Sequence, residues 1–153
     1  MRAVHVLLAG EWDAAREVDR VLLDFDHRHR RRIALRTEGG RALLLDLPDA
    51  TRLRDGDGLE TAAGVVRVRA RAEALLEIHA HDEGEMARIA WHLGNRHLPV
   101  QFVAERIRIR ADHVIEEMVA LLGGHVERIE APFDPEAGAY AGGHSHAHAH
   151  DHD

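Results

Sequence analysis

Fourteen of the 153 residues are histidine, and five of these (His144, His146, His148, His150 and His152) stand at every second position of the stretch GGHSHAHAHDHD, residues 142–153. Imidazole is a borderline donor that suits nickel, copper and zinc, so the chemistry this spacing offers is coordination of such ions. An expression tag is normally an unbroken histidine block. Here Ser145, Ala147, Ala149, Asp151 and Asp153 interleave, which argues for a native segment. A Gly/Ala/His/Asp stretch buries too little surface to fold, and 142–153 is expected to be a disordered tail. Tethered imidazoles raise the local ligand concentration, so such a tail collects weakly held ions or completes the shell of a tight one.

Composition removes most competing chemistries. No cysteine is present, which excludes disulfides, thiolate metal sites and iron–sulfur clusters and leaves nitrogen and oxygen as metal donors. All 20 basic residues are arginine; without lysine there is neither a Walker A loop nor Schiff-base chemistry. Ser145 is the only serine and lies in the histidine run, so a Ser–His–Asp triad has no nucleophile on a rigid element. A formal charge of −7 argues against nucleic-acid binding. No apolar run is long enough to span a bilayer, and the opening MRAVHVLLAGEW is too short and too broken by His5 for a secretory signal, so no membrane association and a cytoplasmic location are expected.

The elements that must position these donors follow from hydrophobic period and turn chemistry. Residues 1–71 alternate in short runs (VDRVLLDF, RIALR, RALLLDL, VVRVRA) separated by DHRHRR, EGG, PD and DGDG, the pattern of a small all-β barrel or sandwich. DGDG lacks the acidic ladder of a calcium loop and reads as a connection between strands. The basic run Arg28 to Arg32 has the charge to touch a phosphate, but it reads better as a solvated hairpin tip. In residues 72–141 the period changes. EALLEIHA is strand-like; Asp82 and Glu85 make a capping box for a helix with the stripe Met86, Ile89, Ala90 and Leu93, and Gly94 takes the C′ position. VQFV and RIRIR form a hairpin, Asp112 caps a second helix with the stripe Ile115, Met118, Val119 and Leu122, and HVERIE is a last strand. The fold class is therefore α+β: a small all-β domain, 1–71, a ferredoxin-like βαββαβ domain, 72–141, and the tail, 142–153.

Traced through that topology, the turn GNRH (94–97), the junction Ala111-Asp112-His113 and the root of the tail fall at one edge of the sheet, and His79, His81 and His125 at the other. Two imidazoles on a rigid edge supply fewer donors than the four to six such ions take, so one subunit is incomplete. An isologous twofold contact through that edge would bring two copies of His97 together, with His113 or tail imidazoles completing the shell and a metal-to-dimer ratio near one. By position alone His97 reads equally as a ligand or as a histidine satisfying backbone groups at a helix end. His113 lies in a first helical turn, where the dipole accepts the neutral imidazole that ligation needs, and reads as a ligand. His27, His29 and His92 read as surface residues, and His79 and His81 as an accidental pair at the wrong edge.

HLGNRHLPVQ (92–101), DHVIEEM (112–118), APFDPEAGAY (131–140) and the histidine-rich end together resemble the UreE family of urease accessory proteins, over essentially the whole chain. That resemblance implies a homodimeric nickel metallochaperone, not an enzyme, in which His97 meets its symmetry mate around the ion. It implies as partners a urease-maturation GTPase and the apo-urease accessory complex, with the β domain as a docking surface. Some members carry His-Asp-His where this chain has Ala111-Asp112-His113, so one auxiliary ligand is absent. Zinc and copper compete at imidazole sites, so selectivity must come from the partner and from metal availability. The other readings are a general zinc, copper or nickel buffer without a client and, from a third class, a metal-dependent hydrolase using His97, Asp112 and His113.

Overall fold

The computed structural model describes residues 1–138. Their contacts divide into two compact units, Met1–Leu75 with Ile129–Asp134, and Leu76–Arg128 with the described residues from Pro135 onward. No helix of the described residues is long and apolar enough to cross a membrane.

The first unit holds seven strands: β1 (Arg2–Ala3), β2 (His5–Leu7), β3 (Glu17–Leu23), β4 (His29–Arg36), β5 (Ala42–Arg52), β6 (Gly58–Thr61) and β7 (Gly64–Ala70). They form two sheets, ordered β1-β5-β4 and β2-β6-β7-β3. Alternation decides which side chains go inside. Val21 and Leu23 of β3 are buried between exposed Arg20 and Leu22, and Leu43, Leu45 and Leu47 of β5 face inward with Leu59, Val66 and Val68 of the other sheet to make one core. β5 runs through Pro48, where the sequence pattern implies a turn. Its register against β4 shifts between Arg30 and Arg32, and this irregularity is where a missing backbone donor is tolerated. The DGDG segment is a connection between strands held by its own carboxylates: Asp57 accepts from the backbone N–H groups of Ala9 (2.9 Å) and Arg54 (2.7 Å), and Asp55 from that of Ala70 (2.9 Å).

The expectation of a solvated hairpin tip at Arg28–Arg32 is corrected. Asp26–Arg28 is a 3₁₀ turn, strand β4 begins at His29, and the Arg28 side chain is completely buried while Arg30, Arg31 and Arg32 are exposed. A run of like charges carries no signal for the one member whose guanidinium finds interior carbonyls.

A second polar anchor is Asp19, whose side chain is 7% exposed and accepts from the backbone N–H groups of Arg20 (2.8 Å) and Gly39 (3.0 Å) and from Arg41 Nε (3.0 Å). Gly39 is required by proximity, since a Cβ there would stand 2.8 Å from the Asp19 carboxylate. A hydrogen bond from Thr37, those two backbone donors and Arg41 outweigh burial and hold the Asp19 carboxyl at about 2, below its ordinary 3.8. A depressed carboxyl stabilises the fold above its unfolded value and loses that contribution as pH falls towards the folded one. Asp19→Asn is thus expected to cost about 2 kcal/mol at neutral pH and to flatten the loss of stability between about pH 4 and pH 2, measured by urea unfolding across that range.

The remaining elements are β8 (Ala72–His79), α1 (Glu83–Asn95), β9 (Gln101–Val103), β10 (Arg106–Arg110), α2 (His113–Leu121) and β11 (His125–Pro132), with strand order β11-β8-β10-β9; by their contacts the residues of β8 up to Leu75 and of β11 from Ile129 count with the first unit and the rest with the second. β9 and β10 form a hairpin whose two-residue loop places Ala104 at φ 55. Leu76 and Ile78 of β8 and Ile107 and Ile109 of β10 pack against Ile89 and Leu93 of α1 and Ile115 and Val119 of α2. The stripes read from period 3.6 are the buried ones. Asp82 caps α1 by accepting the Glu85 N–H (2.7 Å), and the Glu85 carboxylate reaches back to the His81 N–H (2.8 Å), one residue earlier than in the usual capping box.

Candidate metal-binding site

Both helices of the second unit end in the same motif, with one difference. After α2, Gly123 takes φ 92 at C′, its N–H bonds to the Ala120 carbonyl (3.0 Å) and that of Gly124 to the Val119 carbonyl (3.0 Å). After α1, the His97 N–H bonds to the Gly94 carbonyl (3.0 Å) and that of Leu98 to the Leu93 carbonyl (3.4 Å), and His97 itself takes φ 57. Gly94, expected at C′, lies inside the helix. The left-handed residue is the histidine, and for any side chain but glycine that conformation is uncommon and costs about 1 kcal/mol or more. Leu98 joins the core beside Leu93, which locks the turn and leaves the His97 side chain exposed.

The helices run in opposite directions across the sheet. A Cβ on Gly123, just after α2, would stand 2.8 Å from the Glu85 carboxylate in the first turn of α1, so α2 ends where α1 begins. The other two termini therefore share the opposite end: Leu98 and Pro99 after α1 line one cleft with Arg110, Ala111 and Asp112 before α2. His97 and His113 flank that cleft in sequence, and His113 is also exposed. Asp112 is occupied as a helix cap, accepting from the N–H groups of Val114 (2.9 Å) and Ile115 (3.2 Å), so its carboxylate serves the fold. The chain returns to this end after β11, because the Glu136 N–H bonds to the Val100 carbonyl (2.7 Å). His144, His146, His148, His150 and His152 lie outside the described residues.

Among the described residues, one set of three His, Asp or Glu side chains has its ligand atoms mutually within 4.8 Å: Glu77, His79 and Glu127. Neither His97 nor His113 belongs to it. His79 Nε2 lies 3.6 Å from Glu77 and 3.9 Å from Glu127. Arg108, aided by Arg106, holds the Glu77 carboxyl below the ordinary carboxylate range against the opposing effect of burial. One rung further, the rings of His81 and His125 stand 5.0 Å apart, edge to face. The sequence pattern places His125 at the same edge as His79 and His81 but leaves that pair accidental, and it does not bring in Glu77 and Glu127. Period-two placement of Glu77, His79 and His81, and of His125 and Glu127, was the available signal; the pairing of β8 with β11 supplies the rest.

Two family models cover the chain, "UreE urease accessory protein, N-terminal domain" over residues 2–71 and "UreE urease accessory protein, C-terminal domain" over residues 73–153. Similar proteins include the urease accessory protein UreE of a Bradyrhizobium strain, 57% identical over 142 residues, which are 92% of this chain and 68% of that protein. A Rhodopseudomonas palustris protein of the same name is 55% identical over 142 residues, 92% of this chain and 67% of its own. One from Rhodobacter capsulatus is 42% identical over 145 residues, 94% of this chain and 89% of its own.

Proposed function

Because the chain belongs to the UreE family of urease accessory proteins, and so to urease maturation, we propose that it is a nickel metallochaperone that acts as a homodimer and delivers Ni(II) to apo-urease. The ion is its cargo. His97 and the partner chain's equivalent imidazole hold it across the twofold axis, and His113 with the tail residues His144, His146, His148, His150 and His152 complete or feed the shell. The observation that carries this reading is His97 in the left-handed position that α2 gives to glycine. A costly backbone conformation at an exposed residue is accounted for when the imidazole, aimed outward from a locked turn, is what the position is for.

Further features support it. Glu136 is tied to Val100, three residues from His97, and five residues lie between Gly138 and His144, a tether of at most about 20 Å. That brings tail imidazoles to the site at high effective concentration. Trp91 of α1 and Val114 and Leu121 of α2 are exposed apolar side chains on the helices that end and begin at this site, as a self-complementary contact needs. We read residues 72–141 as the ferredoxin-like metal-binding and dimerisation domain and 1–71 as the surface that docks a urease-maturation GTPase, in the cytoplasm. Hand-over needs exchangeable ligands and no catalytic step; zinc and copper fit the same donors, so the client selects the metal.

Equilibrium dialysis with oligomeric state measured alongside is expected to give one tight Ni(II) per two chains, with further weak sites. The tight affinity falls on acidification, because ligation takes neutral imidazole and releases protons. A nickel-dependent complex with the maturation GTPase, followed by activation of apo-urease, is the decisive result; tight binding without either leaves a metal buffer instead.

A further inference from the structure

The face of the β11-β8-β10-β9 sheet turned away from α1 and α2 carries a cluster of charged side chains beside the apolar Leu75, Ile129 and Ala131. On β8, Leu76 and Ile78 enter the helix-packed core while Glu77 and His79 point to the opposite side. On β10, Ile107 and Ile109 go inward and Arg106 and Arg108 outward, where they hold Glu77 at 2.7 and 2.9 Å. From β11, Glu127 reaches the same point. On a side chain 30% exposed, His79 Nε2 itself is shielded from solvent and has no hydrogen-bond partner among the described residues. A shielded ring nitrogen left this way is destabilising unless something occupies it.

We propose that this face carries a second divalent-cation site, with His79 Nε2, Glu77 and Glu127 as protein ligands and water completing the shell. The donor distances suit the purpose. Ligand atoms about 2.1 Å from a shared ion, at tetrahedral to trigonal angles, stand roughly 3.4–3.7 Å apart, and the two histidine–carboxylate separations here are 3.6 and 3.9 Å. Glu77, 7% exposed and fixed by two arginines, is the rigid arm; Glu127, 65% exposed, is the arm that swings in and leaves the open side to water. One nitrogen and two oxygens select a borderline divalent ion such as zinc or nickel over a soft one. Since Arg106 and Arg108 already balance the Glu77 charge, Glu127 alone offsets the incoming cation. The site is therefore weaker than one built from paired imidazoles and fills after it.

This inference does not rest on nickel delivery, and it is tested where the ligands of that reading are gone. The probe is Zn(II), added to the full-length chain carrying alanine at positions 97, 113, 144, 146, 148, 150 and 152. Calorimetry is expected to find one ion per chain, and nitrogen-detected imidazole spectra to show the His79 ring shifting on binding. Glu127→Gln, on an exposed side chain and with an unchanged thermal midpoint, weakens binding at least about tenfold, and His79→Gln removes it. No binding, a shift confined to His81 and His125, or affinity unaltered by Glu127→Gln and His79→Gln each overturns the proposal.

Discussion

His97→Gly is expected to abolish the tight nickel binding proposed for this turn while leaving the protein as stable as its parent or slightly more so. Glycine adopts the φ of 57 seen at this position without the clash that any Cβ brings, which recovers about 1 kcal/mol. Greater backbone freedom in the unfolded chain takes back about 0.4–1 kcal/mol of that. The Schellman hydrogen bonds, made by the backbone of residues 97 and 98, remain. The twin substitution His97→Ala keeps the strain and loses the imidazole, so it is equally defective in nickel and falls below the glycine variant in urea midpoint. Metal titration and unfolding on the same three proteins separate the two roles of the residue. Tight one-per-dimer binding that survives either change would remove His97 from the site. A glycine variant destabilised by more than about 1 kcal/mol would show that the side chain serves the fold.

The largest effect on stability is expected at Arg28. Its side chain is 0% exposed; Nε donates to the Leu23 carbonyl (3.2 Å), Nη1 to the Leu53 carbonyl (3.4 Å) and Nη2 to the Phe133 carbonyl, with the Asp134 carboxylate at 4.0 Å. Burial lowers its pKa, against the pull of Asp134, Glu73 and Asp55, yet a guanidinium stays charged at any pH the fold survives. One cation thus ties three distant segments of the first unit, the last of them beside the buried Phe25–Phe133 ring pair. Arg28→Met keeps much of the volume but strands three interior carbonyls at about 1–3 kcal/mol each, a total of about 3 kcal/mol or more. Against the 5–15 kcal/mol typical of a whole protein, this is a large fraction. Urea unfolding of the variant, followed by the fluorescence of Trp12 in the same unit, measures it; a loss below about 1 kcal/mol would mean that water replaces the guanidinium at those carbonyls.

Local patterning carried most of what could be known beforehand. The switch from period two to period 3.6 after residue 72, the Asp82 and Asp112 caps and the stripes of α1 and α2 follow from nearest-neighbour sterics and the need to bury one face, and these act within a few residues. The family likeness was also legible, since HLGNRHLPVQ and DHVIEEM are contiguous. Histidine content alone raises the expectation of a metal-binding role, which membership of the family also implies.

Tertiary structure decided what depends on partners distant in sequence. Arg28 resembles its exposed neighbours until the backbone at 53 and 133 arrives to receive it, 25 and 105 residues away. Whether Gly94 or His97 ends α1 turns on whether Leu98 finds the core beside Leu93, a packing choice that outweighs the local preference for glycine. Glu127 meets His79 only through the pairing of two strands at opposite ends of the unit's chain order. Short-range sterics write the elements into adjacent residues, whereas the burial of a charge or the closing of a ligand set is an energy shared between segments, and it exists only once they are folded together.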